Sequence, residues 1–365
     1  MRKANIIAVL LGFCLLCFCT PAPSDFKAWD LLKEMLLIPG VSGHETLVAD
    51  FVASSIPQSL NPQRDEMDNV WFTVGEGDPH IVFVAHTDEI GLIVKQITVD
   101  GMLKVEGRGG FFPKMYEGHM VVIYTHKGPV QGVVAPRKEY FSKAPDESFF
   151  GIGDIEIYVG VDTKAEVIEL GVEPNDQVTI QKHIAELSPV LLAARGVDDR
   201  AGCAVLLDAM ERIDWDQITD KTVTFLWDVQ EEIGLYGASR IAGTLDADYV
   251  FPVDTFVSSD APFDSQRFAR LPLGQGAVIR AIDSSNITPW IYVQKVKRIA
   301  ESKSIPVQIG NTKGGNDGSV FVPTGTADIP LSWPGVYSHS FIEKIHKRDL
   351  EALTELVVAL TETWK

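Results

Sequence analysis

Apolar runs that end in an acidic residue or a histidine recur along the chain. The run IVFVAH ends at His86, with Asp88 two residues later, and TVTFLWDV precedes Glu231 and Glu232. A third run, DYVFPVD, ends at Asp254. Short runs that are apolar throughout are typical of strands buried on both faces. Because the carboxyl ends of such strands build the active sites of open α/β sheets, this pattern favours an α/β fold with polar side chains gathered at one sheet edge.

A different pattern occupies about residues 97–190. Short segments of alternating apolar and polar residues, separated by glycine, proline and aspartate, are typical of a small antiparallel barrel or sandwich. Alternating strands and helices return after Leu191, as in a mostly parallel sheet with helices on both faces. We therefore predict an α/β catalytic domain with a mixed, mostly parallel sheet, formed by residues 23–96 and 191–365. The small β barrel is inserted at 97–190.

The charge of the chain argues against some classes of binding partner. The 365 residues carry a formal net charge of −18, and a chain of this length can bury a large core. Binding to nucleic acid or to an anionic membrane surface needs a basic face, so we expect no nucleic-acid partner. Only one of the four cysteines, Cys203, lies beyond residue 22. Its apolar surroundings, AGCAVLLDAM, favour a small buried residue over a nucleophile.

Residues 1–22 have the layout of a secretory signal peptide. Arg2 and Lys3 precede an uncharged apolar run, residues 6–18, which is short for a membrane span. Cleavage near residues 19–24 predicts export to the periplasm or the cell exterior. Cys17 and Cys19 leave a lipid-anchored form as the alternative, although a bulky residue precedes each of them where a lipidation signal has a small one.

His86 and Asp88 lie two residues apart at the end of a predicted strand. Residues at this spacing on an extended chain point the same way. A histidine that binds a metal through one ring nitrogen usually donates its other N–H to a carboxylate or carbonyl. His86 is therefore a candidate ligand and Asp88 the carboxylate that orients it. The alternative is a local hydrogen bond unrelated to any metal.

Further candidates follow later strands. Asp198 opens a helix, where an acid is favoured as a cap, but its two oxygens could also bridge two cations. Glu231 and Glu232 are adjacent at a strand end, so one could bind metal while the other takes a proton from a water molecule. Two neighbouring buried acids are costly without a compensating cation. Asp254 ends another strand, and His339 lies in the loop after SWPGVY.

Taken together, these motifs resemble the M42 family of dinuclear metallo-aminopeptidases, the tetrahedral or glutamyl aminopeptidase-like group. The motifs that carry the resemblance are AHTDEIG, GVDDRAG, QEEIGLYGA, FPVD, GGNDG and YSHS. The resemblance extends over essentially the whole mature chain, including the β insertion. It implies a zinc-exopeptidase-like fold and the release of amino-terminal residues from peptides.

The resemblance also implies a role for each candidate residue. The implied metal ligands are His86 and Asp254 for one ion, Glu232 and His339 for the other, and Asp198 as the bridge. Glu231 is then the general base, and Asp88 orients His86. Imidazole and carboxylate ligands suit Zn²⁺, with Co²⁺ or Mn²⁺ as replacements. The implied partners are peptide substrates and further copies of the chain, from a dimer up to a dodecamer.

Two positions depart from the family pattern. Val336 stands where the family commonly has arginine, and Asn316 stands where it commonly has threonine. These departures leave the substrate preference and the assembly open. Two other functions remain as alternatives: a related co-catalytic zinc exopeptidase or deacylase, and a non-catalytic metal- or peptide-binding protein on the same scaffold.

Overall fold

The computed structural model describes residues 26–136, 151–261 and 268–365. The predicted signal peptide (1–22), on which the expected export and lipid anchor depend, and residues 137–150 of the predicted insertion lie outside these ranges. Within them, no helix has the length and apolar character needed to cross a membrane.

The described elements alternate as expected for an α/β protein. The strands are β1 (Gln63–Arg64), β2 (Val70–Val74), β3 (His80–His86), β4 (Gly91–Ile97), β5 (Leu103–Arg108), β6 (Met120–Thr125), β7 (Gly128–Val134), β8 (Glu156–Tyr158), β9 (Gln177–Ile180), β10 (Ala185–Ser188), β11 (Leu191–Ala194), β12 (Thr222–Asp228), β13 (Tyr249–Val257), β14 (Ala277–Ile282), β15 (Val307–Asn311), β16 (Ala327–Asp328), β17 (Leu331–Gly335) and β18 (Glu343–His346). The α-helices are α1 (Ala28–Met35), α2 (Thr46–Ser55), α3 (Lys164–Glu169), α4 (Val197–Arg212), α5 (Tyr236–Ala242), α6 (Trp290–Ser302) and α7 (Lys347–Thr363).

The main sheet is mixed but mostly parallel. Its strand order is β1-β2-β12-β3-β13-β17-β14-β15, with β16 attached to β13. The central strands β12, β3, β13 and β17 are parallel to one another, and β14 is parallel to β15. Antiparallel pairs join β2 to β12 and β14 to β17. This architecture confirms the predicted fold class.

The apolar central strands are buried because helices cover both faces of the sheet. On one face, Phe83 of β3 stacks on Phe251 of β13 with ring centroids 5.1 Å apart, within a core that includes α1, α4 and α7. Val82 and Val84 alternate with Phe83 and point to the other face. There they pack in a second cluster with Ile241 of α5.

The inserted segment forms a closed barrel in the order β4-β5-β8-β7-β6-β9, with its own buried apolar cluster. The barrel strands run from Gly91 to Ile180, against the predicted interval 97–190. The barrel begins earlier than predicted because Gly91 to Val94 are all buried. The first half of β4 therefore lacks the alternation of apolar and polar residues that marks a half-buried strand. At the other end, β10 pairs with β11 instead of joining the barrel.

Two successive strands of the main sheet, β16 and β17, come from one short segment of the chain. The segment ADIPLSW forms β16 and β17, which pair with successive parts of β13. Pro330 lies between them and has no N–H to donate to a neighbouring strand. The break therefore falls at the residue that cannot continue the ladder.

A buried ionic cluster lies where the barrel joins the catalytic part of the chain. Glu89, between β3 and β4, has no exposed side-chain surface. Its carboxylate lies 2.7 Å from the Lys182 ammonium, 3.6 Å from the Arg195 guanidinium and 3.8 Å from that of Arg200. We call these four residues the junction cluster. One carboxylate is shared by three buried cations, so the cluster depends on Glu89.

Candidate metal centre

The seven candidate residues meet at the carboxyl edge of the main sheet. His86 ends β3 and is in register with Asp228, which ends β12. Val84 and Pro252 are paired across β3 and β13, and His86 and Asp254 each lie two residues further on. Both side chains therefore point to the same side of the sheet. The parallel register alone brings together ligands that are far apart in the sequence.

His86 is buried between two carboxylates. Its Nε2 lies 3.3 Å from Asp198 Oδ1, and its Nδ1 lies 3.3 Å from Asp88 Oδ1. The backbone N–H of His86 donates to Asp199 at 3.1 Å. With Nδ1 directed to Asp88, Nε2 is the nitrogen available to a metal.

Asp88 has a wider structural role than orienting one histidine. It accepts hydrogen bonds from the hydroxyl of Ser42 at 2.6 Å, and from the backbone N–H groups of Glu231 at 3.0 Å and Glu232 at 3.2 Å. The carboxylate thus fixes the turn that carries both glutamates. Any movement of Asp88 would displace His86 and the two glutamates together.

His339 approaches the same carboxylates from the loop between β17 and β18. Its Nε2 lies 3.5 Å from Glu232 Oε2 and 3.8 Å from Asp198 Oδ2. Its Nδ1 makes a hydrogen bond to the carbonyl oxygen of Gly110. If Nδ1 carries the proton, as a carbonyl partner requires, the Nε2 lone pair faces Glu232 and Asp198.

The ligand atoms fall into overlapping groups, within each of which they lie no more than 4.8 Å apart. The groups are His86, Asp198 and Asp254; Asp198, Glu232 and His339; and His86, Glu231 and Glu232. Asp198 belongs to the first two and presents a different oxygen to each histidine. A carboxylate with this position can serve two cations at once.

The charge of the site fits divalent cations. Burial raises the pKa of Glu231 well above its ordinary value, with repulsion from Glu232 adding to it and His86 opposing it. Burial and then repulsion from Asp198 likewise raise the pKa of Glu232. Clustered buried carboxylates are costly unless cations compensate them, and a mixed imidazole and carboxylate donor set suits Zn²⁺.

Arg280 of β14 was not recognised from the sequence. It is buried and donates to Asp254 at 3.2 Å, to Asp283 at 3.2 Å and to the carbonyl oxygen of Gly315 at 3.0 Å. Burial raises the pKa of Asp254 to about 6, although the Arg280 cation opposes this rise. The available signal was an arginine inside the apolar strand AVIRAI, because a charge in a buried strand needs a partner.

Glu343 of β18 was also missed. Its carboxylate accepts the backbone N–H of Val197 at 2.7 Å, of Asp198 at 3.2 Å and of His339 at 2.7 Å. It therefore fixes the backbone of two candidate ligands that lie 141 positions apart in the numbering. Nothing in the local pattern FIEKIH marks this role.

A sequence model of the family described as M42 glutamyl aminopeptidase matches residues 68–356. The chain belongs to this family. The match confirms the resemblance predicted from the motifs. It makes the chain a peptidase, a hydrolase that acts on peptide bonds, in a family of metal-dependent enzymes.

Relatives of this M42 peptidase include two aminopeptidases that are named for different amino-terminal residues. The lysyl aminopeptidase of Pyrococcus furiosus is 28% identical over 345 residues, covering 92% of this chain and 97% of the relative. The glutamyl aminopeptidase of Lactococcus lactis is 27% identical over 331 residues, covering 86% and 90%. Among solved structures, the Pyrococcus horikoshii TET1 peptidase is 35% identical, with a TM-score of 0.85, covering 92% of this chain and 99% of that chain. That peptidase is described as assembling into a tetrahedron or a large octahedral shell.

A cavity of about 140 Å³ lies over the candidate ligands of the M42 peptidase. Its lining includes His86, Asp198, Glu231, Glu232, Asp254 and His339, together with Arg280 and the first two glycines of the GGNDG turn. We call this space the metal cavity. Cys203 lies behind it, fully buried, with its thiol 3.1 Å from the carbonyl oxygen of His86, as a packing residue would.

Replacing Arg280 with methionine is expected to weaken Zn²⁺ binding about 10–100-fold, because Asp254 loses the donor that holds it. Competition with a chromogenic chelator measures the dissociation constant independently of activity. The matched control is Arg240→Met, since Arg240 is exposed, lies 3.3 Å from Asp65 and is not among the described residues that line the cavity over the candidate ligands. Equal affinities for the two variants would show that Asp254 does not depend on Arg280.

Proposed function

We propose that this M42 peptidase is an aminopeptidase that holds two divalent cations and releases the amino-terminal residue of peptides. One observation carries the proposal. The His86, Asp198 and Asp254 group and the Asp198, Glu232 and His339 group share Asp198, and the ligand atoms of each group lie within 4.8 Å of one another.

The ligand types determine which ions we propose. His86 and Asp254 would hold one ion, Glu232 and His339 the other, and Asp198 both. Zn²⁺ fits this mixed donor set, with Co²⁺ or Mn²⁺ as replacements. Ions of this kind supply Lewis acidity, which polarises a carbonyl oxygen and lowers the pKa of a water molecule.

Glu231 is the residue we propose for proton transfer. It lines the metal cavity, and its Oε2 lies 4.0 Å from His86 Nε2. Its carboxylate accepts a proton from the attacking water and then delivers it to the nitrogen of the leaving amine. Asp88 holds the backbone of Glu231 through a 3.0 Å hydrogen bond, which fixes the turn from which the side chain of this base extends.

The shape and charge of the site favour exopeptidase action. The metal cavity is small, and its carboxylates can bind the free α-ammonium group of a peptide. An acylated amine has no such charge, so this interaction distinguishes an aminopeptidase from a deacylase. The presence of Glu231 beside the ligands argues against a protein that only binds metal or peptide, because binding needs the ligands alone.

Metal removal tests the proposal directly. The protein treated with chelator is expected to lose hydrolysis of aminoacyl chromogenic substrates, and added Zn²⁺ is expected to restore it with two ions per chain by elemental analysis. Asp198→Ala should lose both the ions and the activity, whereas the exposed control Asp162→Ala should retain them. Hydrolysis of acetylated substrates in preference to free-amine substrates would identify a deacylase instead.

Assembly and export form a further part of the proposal. Large assemblies are described for TET relatives, and we propose a homo-oligomer, from a dimer to a dodecamer, for the mature chain after loss of the signal peptide. The protein is expressed with its leader and purified. Light scattering then gives the molar mass of the assembly, and amino-terminal sequencing shows whether the leader has been removed. A monomer, or an uncleaved leader, would contradict the respective part.

A further inference from the structure

Residues 229–232, which we call the base turn, follow β12 and carry the proposed general base. Each of their four successive backbone N–H groups donates a hydrogen bond to a side chain. The pairs are Val229 with Asn69 at 3.2 Å, Gln230 with Glu45 at 3.2 Å, Glu231 with Asp88 at 3.0 Å and Glu232 with Asp88 at 3.2 Å. The base turn therefore takes its shape from acceptors that lie elsewhere in the chain.

One of these acceptors, Glu45, lies 185 positions before Gln230. It precedes the first residue of α2 and is only 3% exposed. The side chain of a residue at this point usually accepts an N–H from the first turn of its helix. Within the described ranges, the Glu45 side chain makes no such bond to α2. Its Oε1 instead accepts the N–H of Gly43 at 2.7 Å and that of Gln230 at 3.2 Å, so the side chain serves the base turn and not the helix.

Gln230 has a backbone conformation that needs support. Its φ is 58°, in the left-handed region that a residue with a β-carbon keeps only when its surroundings favour it. Glu45 supplies such an interaction at the N–H of this same residue. Rotation about the N–Cα bond of Gln230 would displace Glu231, because Glu231 follows directly. The contact with Glu45 thus bears on where the carboxylate of Glu231 lies.

The segment that carries Glu45 is also attached to the end of β3. Val41 forms a parallel bridge with Glu89, and the hydroxyl of Ser42 donates to Asp88 at 2.6 Å. One short piece of backbone therefore supports both Asp88 and Gln230. It lies before residues 68–356, which match the family model, so part of the support for the base turn comes from outside the matched residues.

We infer that Glu45 is a positioning residue for catalysis, which fixes the backbone that presents Glu231. This inference rests on the proposed role of Glu231 as the general base. Glu45 is not among the described residues that line the metal cavity, so it acts through the base turn. The contact requires an oxygen at the full length of a glutamate side chain. It does not require a charge, because a neutral amide oxygen accepts the same N–H groups.

Three substitutions of Glu45 separate length, oxygen and charge. Glu45→Gln keeps the length and the oxygen, whereas Glu45→Met keeps the length alone. Glu45→Asn withdraws the oxygen by one methylene group but places a favoured residue before α2. With the Zn²⁺-loaded full chain and an aminoacyl p-nitroanilide, Glu45→Met and Glu45→Asn are expected to lower kcat about 10–100-fold. KM and metal content should stay unchanged, because the position of the base matters only in the chemical step. Glu45→Gln should match the wild type.

The control is Glu34→Met, at an exposed position of α1, which should leave kcat, KM and metal content unchanged. Wild-type kcat in folded Glu45→Met and Glu45→Asn would overturn the inference. Recovery by Glu45→Asn as well as Glu45→Gln would overturn it by assigning the effect to the start of α2. Loss of Zn²⁺ in step with kcat would overturn it in favour of support for the metal site. Full activity of Glu231→Gln is a separate result, which would contradict the proposed general base itself.

Discussion

Replacing Glu231 with glutamine is expected to lower kcat about 10²–10⁴-fold with metal content unchanged. Glutamine has the size of glutamate but cannot accept a proton from water. The hydrogen bond from the Glu231 N–H to Asp88 uses the backbone, so the substitution leaves the turn in place. Steady-state kinetics with elemental analysis of the same preparation measures both quantities.

The controls for Glu231→Gln use its neighbour and a surface residue. Glu232→Gln should lose metal as well as activity, because Glu232 Oε2 faces His339 at 3.5 Å. Glu301→Gln, at an exposed helix position paired with Lys297, should behave as the wild type. Since Glu231 also lies in a group with His86 and Glu232, loss of an ion from Glu231→Gln would place it among the ligands. Full activity would exclude it as the base.

Replacing Glu89 with glutamine is expected to lower the free energy of unfolding by about 3–5 kcal/mol. The substitution removes the one carboxylate of the junction cluster and leaves Lys182, Arg195 and Arg200 buried together. Burial already lowers the pKa of Lys182 to about 8 in spite of Glu89. Loss of the Glu89 charge would therefore leave the Lys182 ammonium without the interaction that favours its charged form. Urea unfolding of the metal-free protein at pH 7 measures the change. Glu301→Gln is the matched control, with an expected loss below about 1 kcal/mol for an exposed pair.

The junction cluster also predicts a pH dependence. Burial raises the pKa of Glu89, but Lys182, Arg195 and Arg200 outweigh it and hold the pKa at about 2, below the ordinary value of 4.5. An acid with a lower pKa in the folded chain stabilises the fold above about pH 4.5 and ceases to do so as the pH falls toward about 2. In Glu89→Gln, the fall in the free energy of unfolding that Glu89 causes between about pH 4.5 and about pH 2 should disappear. An unchanged acid-unfolding profile would contradict the assignment.

The sheet and its polar edge could be predicted because the apolar pattern of each strand in the sequence matches the burial of that strand in the fold. β3 and β12 are apolar on both faces, since helices cover both sides, and that burial is visible as an uninterrupted apolar run. The acids and the histidine that follow them break the run at the point where the strand leaves the core. His86, Glu231 and Asp254 were recognisable for this reason.

The rest of the site depends on contacts between distant segments. Arg280 and Glu343 are defined by partners on other elements, and a single charged residue in a short strand does not identify them. Asp88 was assigned one partner from its spacing to His86, but its hydrogen bonds to the Glu231 and Glu232 backbone arise only when β3 and β12 pair.

The hydrogen bond between His339 and Gly110 has a consequence for how this protein could change over evolution. Gly110 belongs to the segment that carries the barrel, whereas His339 belongs to the α/β part. The barrel is therefore not an accessory that recombination could delete or exchange freely, since a new module would have to present a carbonyl group at the same point. A barrel without that carbonyl group would leave His339 Nδ1 without the partner that orients its ring.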